Sequence, residues 1–277
     1  MKKLIRLAAV LLIALLLPVA GAFAETGTLL LGGESDQPQT TPAPTPSQQS
    51  TGGALGVLSG GPGGNAGAAS SPAPTAASGG KYIALTFDDG PTASNTPKLL
   101  DMLKKYGVRA TFFVVGARIK GNEALLRRMV DEGHEIGSHT YGHKRLTSLT
   151  DEAIEKDLIR TINLVNAACG VTPSMVRPPY GAKNARVLAC LEQMGLACVM
   201  WNIDPEDWNA SSARAVRDHV VARAENGCIV LMHDLRSTSV KAAELIIRAL
   251  TAKGYAFVTV SELFSGELEA GVAYRHA

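Results

Sequence analysis

The sequence has almost no excess charge of either sign. It carries 27 Lys and Arg against 25 Asp and Glu, so its formal net charge is +2 over 277 residues. Proteins that bind nucleic acid or an anionic lipid surface by bulk electrostatics have a marked basic excess. We therefore expect neither of these partners, and we expect no nucleotide cofactor.

Cysteine is also scarce, and its spacing excludes some roles. The four cysteines are Cys169, Cys190, Cys198 and Cys228. No two of them form a C-x-x-C pair, so a cysteine metal site or redox motif is not indicated. None directly follows the apolar run near the N-terminus, which argues against a lipoprotein anchor. Their neighbours are apolar helix and strand positions, so buried free thiols and disulfides both remain open.

Residues 1–24 have the pattern of a signal peptide. Lys2, Lys3 and Arg6 precede an apolar run over 7–17, and Ala22 and Ala24 form a small-x-small cleavage pattern. We predict cleavage after residue 24 and export to the cell surface, the cell wall or the medium. The alternative is an uncleaved membrane anchor, although the run is shorter than the roughly 20 apolar residues that span a bilayer.

Residues 25–80 lack Lys, Arg and aromatic side chains altogether, while holding 13 Gly and 7 Pro. Such a composition cannot bury enough apolar surface to offset the entropy of ordering. We predict a disordered linker, rich in Gly, Pro, Ser and Thr, that tethers the domain that follows.

The rest of the chain alternates short apolar runs with longer segments of helical period, and this alternation predicts parallel strands joined by helices. The 46% hydrophobic content is ample for a large core. We predict the α/β class, a distorted (β/α) barrel with seven strands, with residues 81–265 as the domain and 266–277 as a tail. The predicted strands are Tyr82–Phe87, Ala110–Val115, His134–Gly137, Ser174–Arg177, Leu196–Trp201, Cys228–Met232 and Ala256–Val260. Thr96 is the predicted N-cap of the first helix, and Gly107 its end.

Polar residues follow five of these strands. In βα folds the carboxyl ends of the strands hold the catalytic side chains, so five such stretches predict one site there. His139 and His143 are spaced i and i+4, which with one carboxylate gives a hydrolytic zinc site with open positions. Asp88 and Asp89 are adjacent carboxylates that call for a nearby cation. The alternatives are a surface His pair and a simple turn at Asp89-Gly90-Pro91.

Five short motifs, in order, resemble those of the polysaccharide deacetylases, carbohydrate esterase family four. Three are Thr86–Gly90 (TFDDG), Ser138–His143 (SHTYGH) and Arg177–Tyr180 (RPPY), and two are Asp204–Trp208 (DPEDW) and Leu231–His233 (LMH). The similarity runs from Lys81 to about Phe264. It implies that the chain is a metal-dependent hydrolase that removes acetyl groups from amino sugars.

The resemblance assigns a role to each motif residue. Asp89, His139 and His143 would hold a divalent metal, usually Zn²⁺, with Co²⁺ or another divalent ion as the alternative. Asp88 would be the general base that activates water.

Further roles follow from the same resemblance. His233 would be the general acid, with Asp207 pairing to it and raising its pKa. Arg177 would orient the base, and the backbone N–H of Tyr180 would stabilise the oxyanion. The pocket for the acetyl group would be lined by Pro179, Tyr180, Trp208 and Leu231.

The substrate is less defined than the reaction. Export and a long tether favour N-acetylglucosamine of peptidoglycan, with muramic residues as the nearest variant and chitooligosaccharides still open. The alternatives are an esterase for O-acetyl polysaccharides of the acetylxylan type, a wall-binding module without catalysis, and an iron oxygenase with the same ligand set. A monomer is favoured.

Overall fold

The chain is described over residues 80–277 of a computed structural model. The predicted signal peptide (1–24) and all but the last residue of the predicted linker (25–80) lie outside the described residues. The strands are β1 (Lys81–Asp88), β2 (Thr111–Val114), β3 (Glu135–Ser138), β4 (Met175–Val176), β5 (Ala197–Val199), β6 (Cys228–His233), β7 (Tyr255–Val258) and β8 (Ala273–Tyr274). The helices are α1 (Thr96–Tyr106), α2 (Glu123–Asp131), α3 (Asp151–Cys169), α4 (Ala185–Gln193), α5 (Ala213–Arg223), α6 (Ser237–Thr251) and α7 (Val260–Leu263).

The strands form one parallel sheet in the order β6-β1-β2-β3-β4-β5-β8. β7 pairs with the first half of β1, through Lys81 to Ala84, whereas β2 pairs with its last three residues. β1 therefore has three partners: β2, β6 and β7. A bridge between Ile203 and Val230 joins the segment after β5 to β6 and curls the sheet towards closure. The predicted distorted α/β barrel is confirmed as a curled half-barrel, in which the seven predicted parallel strands are joined by an eighth, β8.

Alternation along β1 explains where the site lies. Successive side chains of a strand point to opposite faces of the sheet. Ile83, Leu85 and Phe87 pack into the cluster shared with the helices, whereas Tyr82 and Ala84 pack into a second cluster with residues of the other strands. The even-numbered series continues through residues 86 and 88, so the last side chain of β1 lies on the inner face at the carboxyl end.

Of the two predicted ends of α1, one is confirmed and one is corrected. Gly107 adopts a left-handed φ of 62° at the end of α1, and the Thr150 hydroxyl accepts a hydrogen bond from Ala153 N at the start of α3. Asn95, not Thr96, occupies the N-cap position of α1. The Thr96 hydroxyl instead accepts a hydrogen bond from Thr92 N and donates one to the buried carboxylate of Asp234.

The segment predicted as a tail contains β8, which sequence analysis missed. This strand is only two residues long, too short to show a period of two. It pairs with β5, and Met200 N donates a hydrogen bond of 2.6 Å to Tyr274 O.

All four cysteines are free, so free thiols are the correct one of the two alternatives left open by the sequence. Within residues 80–277, no helix has the length and apolar character needed to cross a membrane.

Candidate active site

A pocket of about 450 Å³ opens at the carboxyl ends of the strands. Its lining residues are Asp88, Asp89, His139, His143, Pro178, Tyr180, Trp201, Asp204, Trp208, Leu231 and His233. All five sequence motifs contribute at least one of them. The predicted convergence of separate stretches at this rim is therefore present in the structure.

Asp89, His139 and His143 form a compact group of three metal-type ligands. Their ligand atoms all lie within 4.8 Å of one another. Asp89 Oδ1 lies 3.1 Å from His143 Nε2 and 3.5 Å from His139 Nε2. Two imidazoles and one carboxylate on one side of the pocket are the donor set of an open hydrolytic metal site.

The chemistry of these donors fits a divalent cation. Asp89 Oδ1 is buried, and the polar atoms beside it include the Nε2 atoms of both imidazoles, an arrangement of donors that suits a bound cation. His139 Nδ1 lies 2.7 Å from Arg177 O, so this nitrogen donates its proton and Nε2 is free to ligate. Burial lowers the pKa of His139, which favours the neutral form that binds metal. Burial raises the pKa of Asp89, but the nearby imidazoles outweigh it and the net pKa is lowered.

Asp88 is buried and charge-paired with Arg177. It is the last residue of β1 and is 3% exposed, and its Oδ1 accepts a hydrogen bond of 2.8 Å from Arg177 Nη1. Its other oxygen lies 3.7 Å from His139 Nε2. One oxygen is thus fixed by the guanidinium while the second faces the metal ligands.

Arg177 is fully buried, and each of its nitrogens donates a hydrogen bond. Nε donates to Val199 O, Nη1 to Thr86 Oγ1 and Asp88, and Nη2 to Met200 O, at 2.7 to 3.2 Å. Burial lowers the pKa of Arg177, and the charge of Asp88 acts in the opposite direction. These contacts make Arg177 the link between β1 and the end of β5.

His233 is the last residue of β6, and hydrogen bonds to Asp207 hold both its ring and its backbone. Its Nδ1 lies 2.8 Å from Asp207 Oδ1, and its backbone N donates to Asp207 Oδ2 at 3.0 Å. Burial alone lowers the pKa of His233. The hydrogen bond and charge of Asp207, with the charges of Asp88 and Asp89, outweigh burial and raise the pKa to about 9.

The candidate base and the candidate acid lie directly opposite each other on the neighbouring strands β1 and β6. Asp88 and His233 are register partners in the β1–β6 pair. A carboxylate and a protonated imidazole therefore face one pocket from adjacent strand ends, beside the metal ligands. Such a pair can remove one proton and deliver another in a single hydrolysis.

The site loops hold most of the left-handed backbone found outside glycine. Of six such residues within residues 80–277, only Ser265 lies outside the five motifs. The others are Asp89, Thr140, His143, Tyr180 and Glu206. Left-handed backbone is unfavourable for residues with a Cβ and persists where the surroundings fix it, often at functional sites. At Tyr180 φ is 61°, and the ring packs against His143 with centroids 4.8 Å apart.

The predicted pocket residues are mostly in place. Leu231 and Trp208 line the pocket, and the Trp208 side chain is 54% exposed at the rim, so it is not part of the core. Pro179 requires correction, because it is buried and begins a short 3₁₀ turn while Pro178 lines the pocket. Asp204 both lines the pocket and caps its own turn by accepting from Glu206 N.

Two residues of the site, Trp201 and Asp234, lie at or just after predicted strand ends but were assigned no role from the sequence. Trp201 lines the pocket. Its position at the end of a predicted strand was the signal that could have identified it. Asp234 is fully buried beside the loop after β1, and a Cβ added at Gly90 would lie 2.6 Å from its Oδ1. Burial raises the pKa of Asp234 to about 6. The absence of a side chain at Gly90 therefore lets the segment with Asp88 and Asp89 pack closely against the segment with His233 and Asp234.

Comparison with known proteins agrees with this geometry. A family model for polysaccharide deacetylase matches residues 75–199. The peptidoglycan-N-acetylglucosamine deacetylase PgdA of Listeria monocytogenes is 41% identical over 194 residues, which cover 70% of this chain and 41% of that protein. A peptidoglycan-N-acetylglucosamine deacetylase of Bacillus cereus is 40% identical over 188 residues, covering 66% of this chain and 88% of that protein.

A solved structure shows the same relationship in three dimensions. The family 4 acetyl xylan esterase of Clostridium thermocellum, in complex with a cobalt ion, is 33% identical with a TM-score of 0.67. The match covers 71% of this chain and 99% of that one. This chain spans about two fifths of the length of the Listeria relative (41%) but nearly the whole of the Bacillus cereus protein (88%). The chain therefore belongs to the polysaccharide deacetylase family, carbohydrate esterase family four.

Proposed function

We propose that this protein hydrolyses N-acetyl groups from amino sugars of an extracellular polysaccharide, with N-acetylglucosamine of peptidoglycan as the main substrate. The observation that carries the proposal is the register pair Asp88 and His233 beside the ligands Asp89, His139 and His143. A base, an acid and a metal site around one pocket are the parts that metal-assisted amide hydrolysis requires.

Asp89, His139 and His143 would hold the metal, for which we propose Zn²⁺. A divalent ion bound there supplies Lewis-acid polarisation of the acetyl carbonyl and lowers the pKa of bound water. Three nitrogen and oxygen donors with open positions suit catalytic zinc, and Co²⁺ accepts similar ligands.

The base step is assigned to Asp88. Arg177 fixes one oxygen of this carboxylate with a hydrogen bond of 2.8 Å. The second oxygen is on the side of the metal ligands, where the attacking water would lie. Asp88 takes a proton from that water as it attacks the acetyl carbon.

The acid step is assigned to His233. Its raised pKa of about 9 keeps the imidazole protonated at neutral pH, so it can give a proton to the departing amine nitrogen. The backbone N–H of Tyr180 is proposed to donate to the developing oxyanion, as preorganised donors of this kind do in acyl transfer. Acetate and a free amine then separate.

Peptidoglycan as substrate is supported by the names of the two relatives described above. Export, which the action on an extracellular polymer requires, is proposed from the predicted signal peptide at 1–24. The predicted tether at 25–80 would let the domain reach the polymer.

Acetate release tests the reaction directly. The purified protein with Zn²⁺ is incubated separately with peptidoglycan fragments and with chitooligosaccharides. We expect Zn²⁺-dependent acetate from the peptidoglycan fragments. Asp88→Asn, an isosteric change, should lower turnover by about 10²- to 10⁴-fold while retaining zinc, because it removes the base and not a ligand. His139→Ala should lose zinc.

Two results would contradict the proposal. An Asp88→Asn protein with wild-type turnover would remove the base assignment, and acetate release without any divalent metal would remove the metal mechanism. Bound iron with oxygen-dependent turnover would instead identify an oxygenase.

The second candidate is hydrolysis of O-acetyl esters. It is favoured by the similarity to an acetyl xylan esterase over 71% of this chain. An alcohol leaves more easily than an amine, so the same residues could serve either reaction. Acetate from acetylated xylan, with none from peptidoglycan fragments, would establish it.

A further inference from the structure

A second cavity, of about 390 Å³, adjoins the catalytic pocket. Its lining residues are Tyr180, Gly181, Lys183, Met200, Trp201, Ala273 and Arg275. Tyr180 and Trp201 also line the catalytic pocket, so the two spaces share a wall at the rim. We call this second cavity the Lys183–Arg275 groove.

The two cations of the groove have no acidic partner. Lys183 and Arg275 are both exposed, and neither forms a salt bridge with any residue between 80 and 277. Arg186, only three residues after Lys183, is by contrast paired with Asp151. The groove therefore presents positive charge beside a catalytic pocket that is rich in carboxylates.

The fold fixes both cations at the rim. Lys183 follows the turn that contains Tyr180, and Arg275 follows β8 directly. β8 is fixed by its pairing with β5, including the 2.6 Å hydrogen bond from Met200 N to Tyr274 O. Between them the wall is tight, since a Cβ at Gly181 would lie 3.1 Å from the Trp201 ring. The groove is thus built from three separate segments of the chain.

We infer that the Lys183–Arg275 groove binds a carboxylate of the glycan, carried by a sugar next to the one that is deacetylated. The inference rests on the proposed function and specifies its substrate class: an acidic, carboxylate-bearing glycan. Each muramic residue of peptidoglycan carries either a free carboxylate or a peptide with carboxylates of its own in amide linkage to that group, whereas chitooligosaccharides carry neither. A volume near 390 Å³ accommodates a sugar ring or a short peptide segment. Two unpaired cations there add attraction without burying charge.

The test compares two forms of one substrate. Soluble peptidoglycan fragments are used with free carboxylates and after conversion of those carboxylates to neutral methylamides, and kcat/KM for acetate release is measured on each. Wild type is compared with Lys183→Gln, Arg275→Gln and the double variant. The matched control is Lys253→Gln, an exposed lysine between α6 and β7, at the other end of the strands.

Wild type should prefer the free-carboxylate fragment. The ratio of kcat/KM between the two fragments should fall about threefold in each single variant and about tenfold in the double variant, as expected for exposed ion pairs. The wild-type ratio should also fall with added salt. The control should keep the wild-type ratio.

The failures of the two proposals are distinguishable. If wild type cleaves both fragments and the ratio is the same in every variant, the groove assignment is overturned and the proposed function stands. If wild type releases acetate only from chitooligosaccharides or acetylated xylan, the proposed peptidoglycan substrate fails, and the groove assignment fails with it.

Discussion

Among single residues, Arg177 connects more segments of the site than the predicted base Asp88 or the predicted acid His233 does. It is fully buried, pairs with Asp88 and donates to two backbone carbonyls near the end of β5. Its guanidinium carbon also lies 4.2 Å from the centre of the Phe113 ring. Loss of this side chain would leave the Asp88 charge buried and unpaired, which is costly in a protein interior.

We therefore predict that Arg177→Ala lowers the free energy of unfolding by about 3–5 kcal/mol. Urea unfolding of the metal-free protein measures it. Arg186→Ala is the control, because it removes an exposed ion pair with Asp151 and should cost less than about 1 kcal/mol. Equal losses in the two variants would show that the buried network has no special weight.

The pair of His233 and Asp207 predicts a pH dependence. As the proposed general acid, His233 must be protonated, so we expect activity below its pKa and its loss as the pH rises through about 9. Asp207→Asn removes the leading cause that raises this pKa. The alkaline limb of the kcat/KM profile should move to lower pH, while the Zn²⁺ content stays unchanged. An unmoved alkaline limb would assign that limb to another group.

The sequence was sufficient to predict candidate site residues that lie in short motifs. It was not sufficient to predict hydrogen bonds and packing contacts between distant segments of the chain. Asp88 and His139 stand out as polar residues directly after apolar strands. Thr86 begins the first motif but received no role from the sequence, because its hydrogen-bond partners Val230 and Arg177 lie in distant segments. The burial of Asp234 is likewise not visible in the sequence, because it depends on the loop after β1 packing against this side chain.

At the scale of elements, β3 positions His139 through very close packing. A Cβ added at Gly137 would lie 2.5 Å from Phe113 Cε1 and 3.0 Å from Met175 Cγ. Real Cβ contacts are not this short, so the Phe113 and Met175 side chains, or the strands that carry them, would have to move. Since Gly137 is two residues before His139, such a shift would reach this proposed metal ligand.

We predict that Gly137→Ala lowers the free energy of unfolding by about 1–3 kcal/mol and weakens Zn²⁺ binding. Gly170→Ala is the matched control: its φ of 75° makes alanine unfavourable by about 1 kcal/mol, but open space surrounds it and no ligand is near. Unfolding in urea and a zinc titration measure the two effects. Unchanged zinc affinity in Gly137→Ala would separate the packing of β3 from the site.

The seven predicted strands all exist because each is a short apolar run between turn residues. Their ends moved by up to two residues, since pairing rather than composition decides where a strand stops. β8 could not be predicted, because Ala273 and Tyr274 become a strand only through their pairing with β5. The position of β7 beside the first half of β1 is also a tertiary fact that local pattern does not contain.

At the scale of the molecule, the described residues contain a curled half-barrel with its own core and candidate site. We predict that residues 80–277, expressed without the first 79, fold and deacetylate soluble fragments at the rate of the longer protein. On insoluble cell walls the shorter protein should be slower, because the predicted tether is lost. Acetate release from both substrates measures this. An inactive or unfolded fragment would place the domain boundary earlier in the chain.

The pairing of β1 with three other strands affects how easily its amide hydrogens exchange with solvent. Its amide groups bond to β2, β6 or β7 along its length, and Asp88 ends it. Amide hydrogens in such a central strand exchange with solvent only when the whole domain unfolds, whereas edge segments such as β8 exchange by local fraying. Hydrogen exchange should therefore show β1 among the last segments to lose protection, so the strand end that carries Asp88 should stay ordered until the domain unfolds.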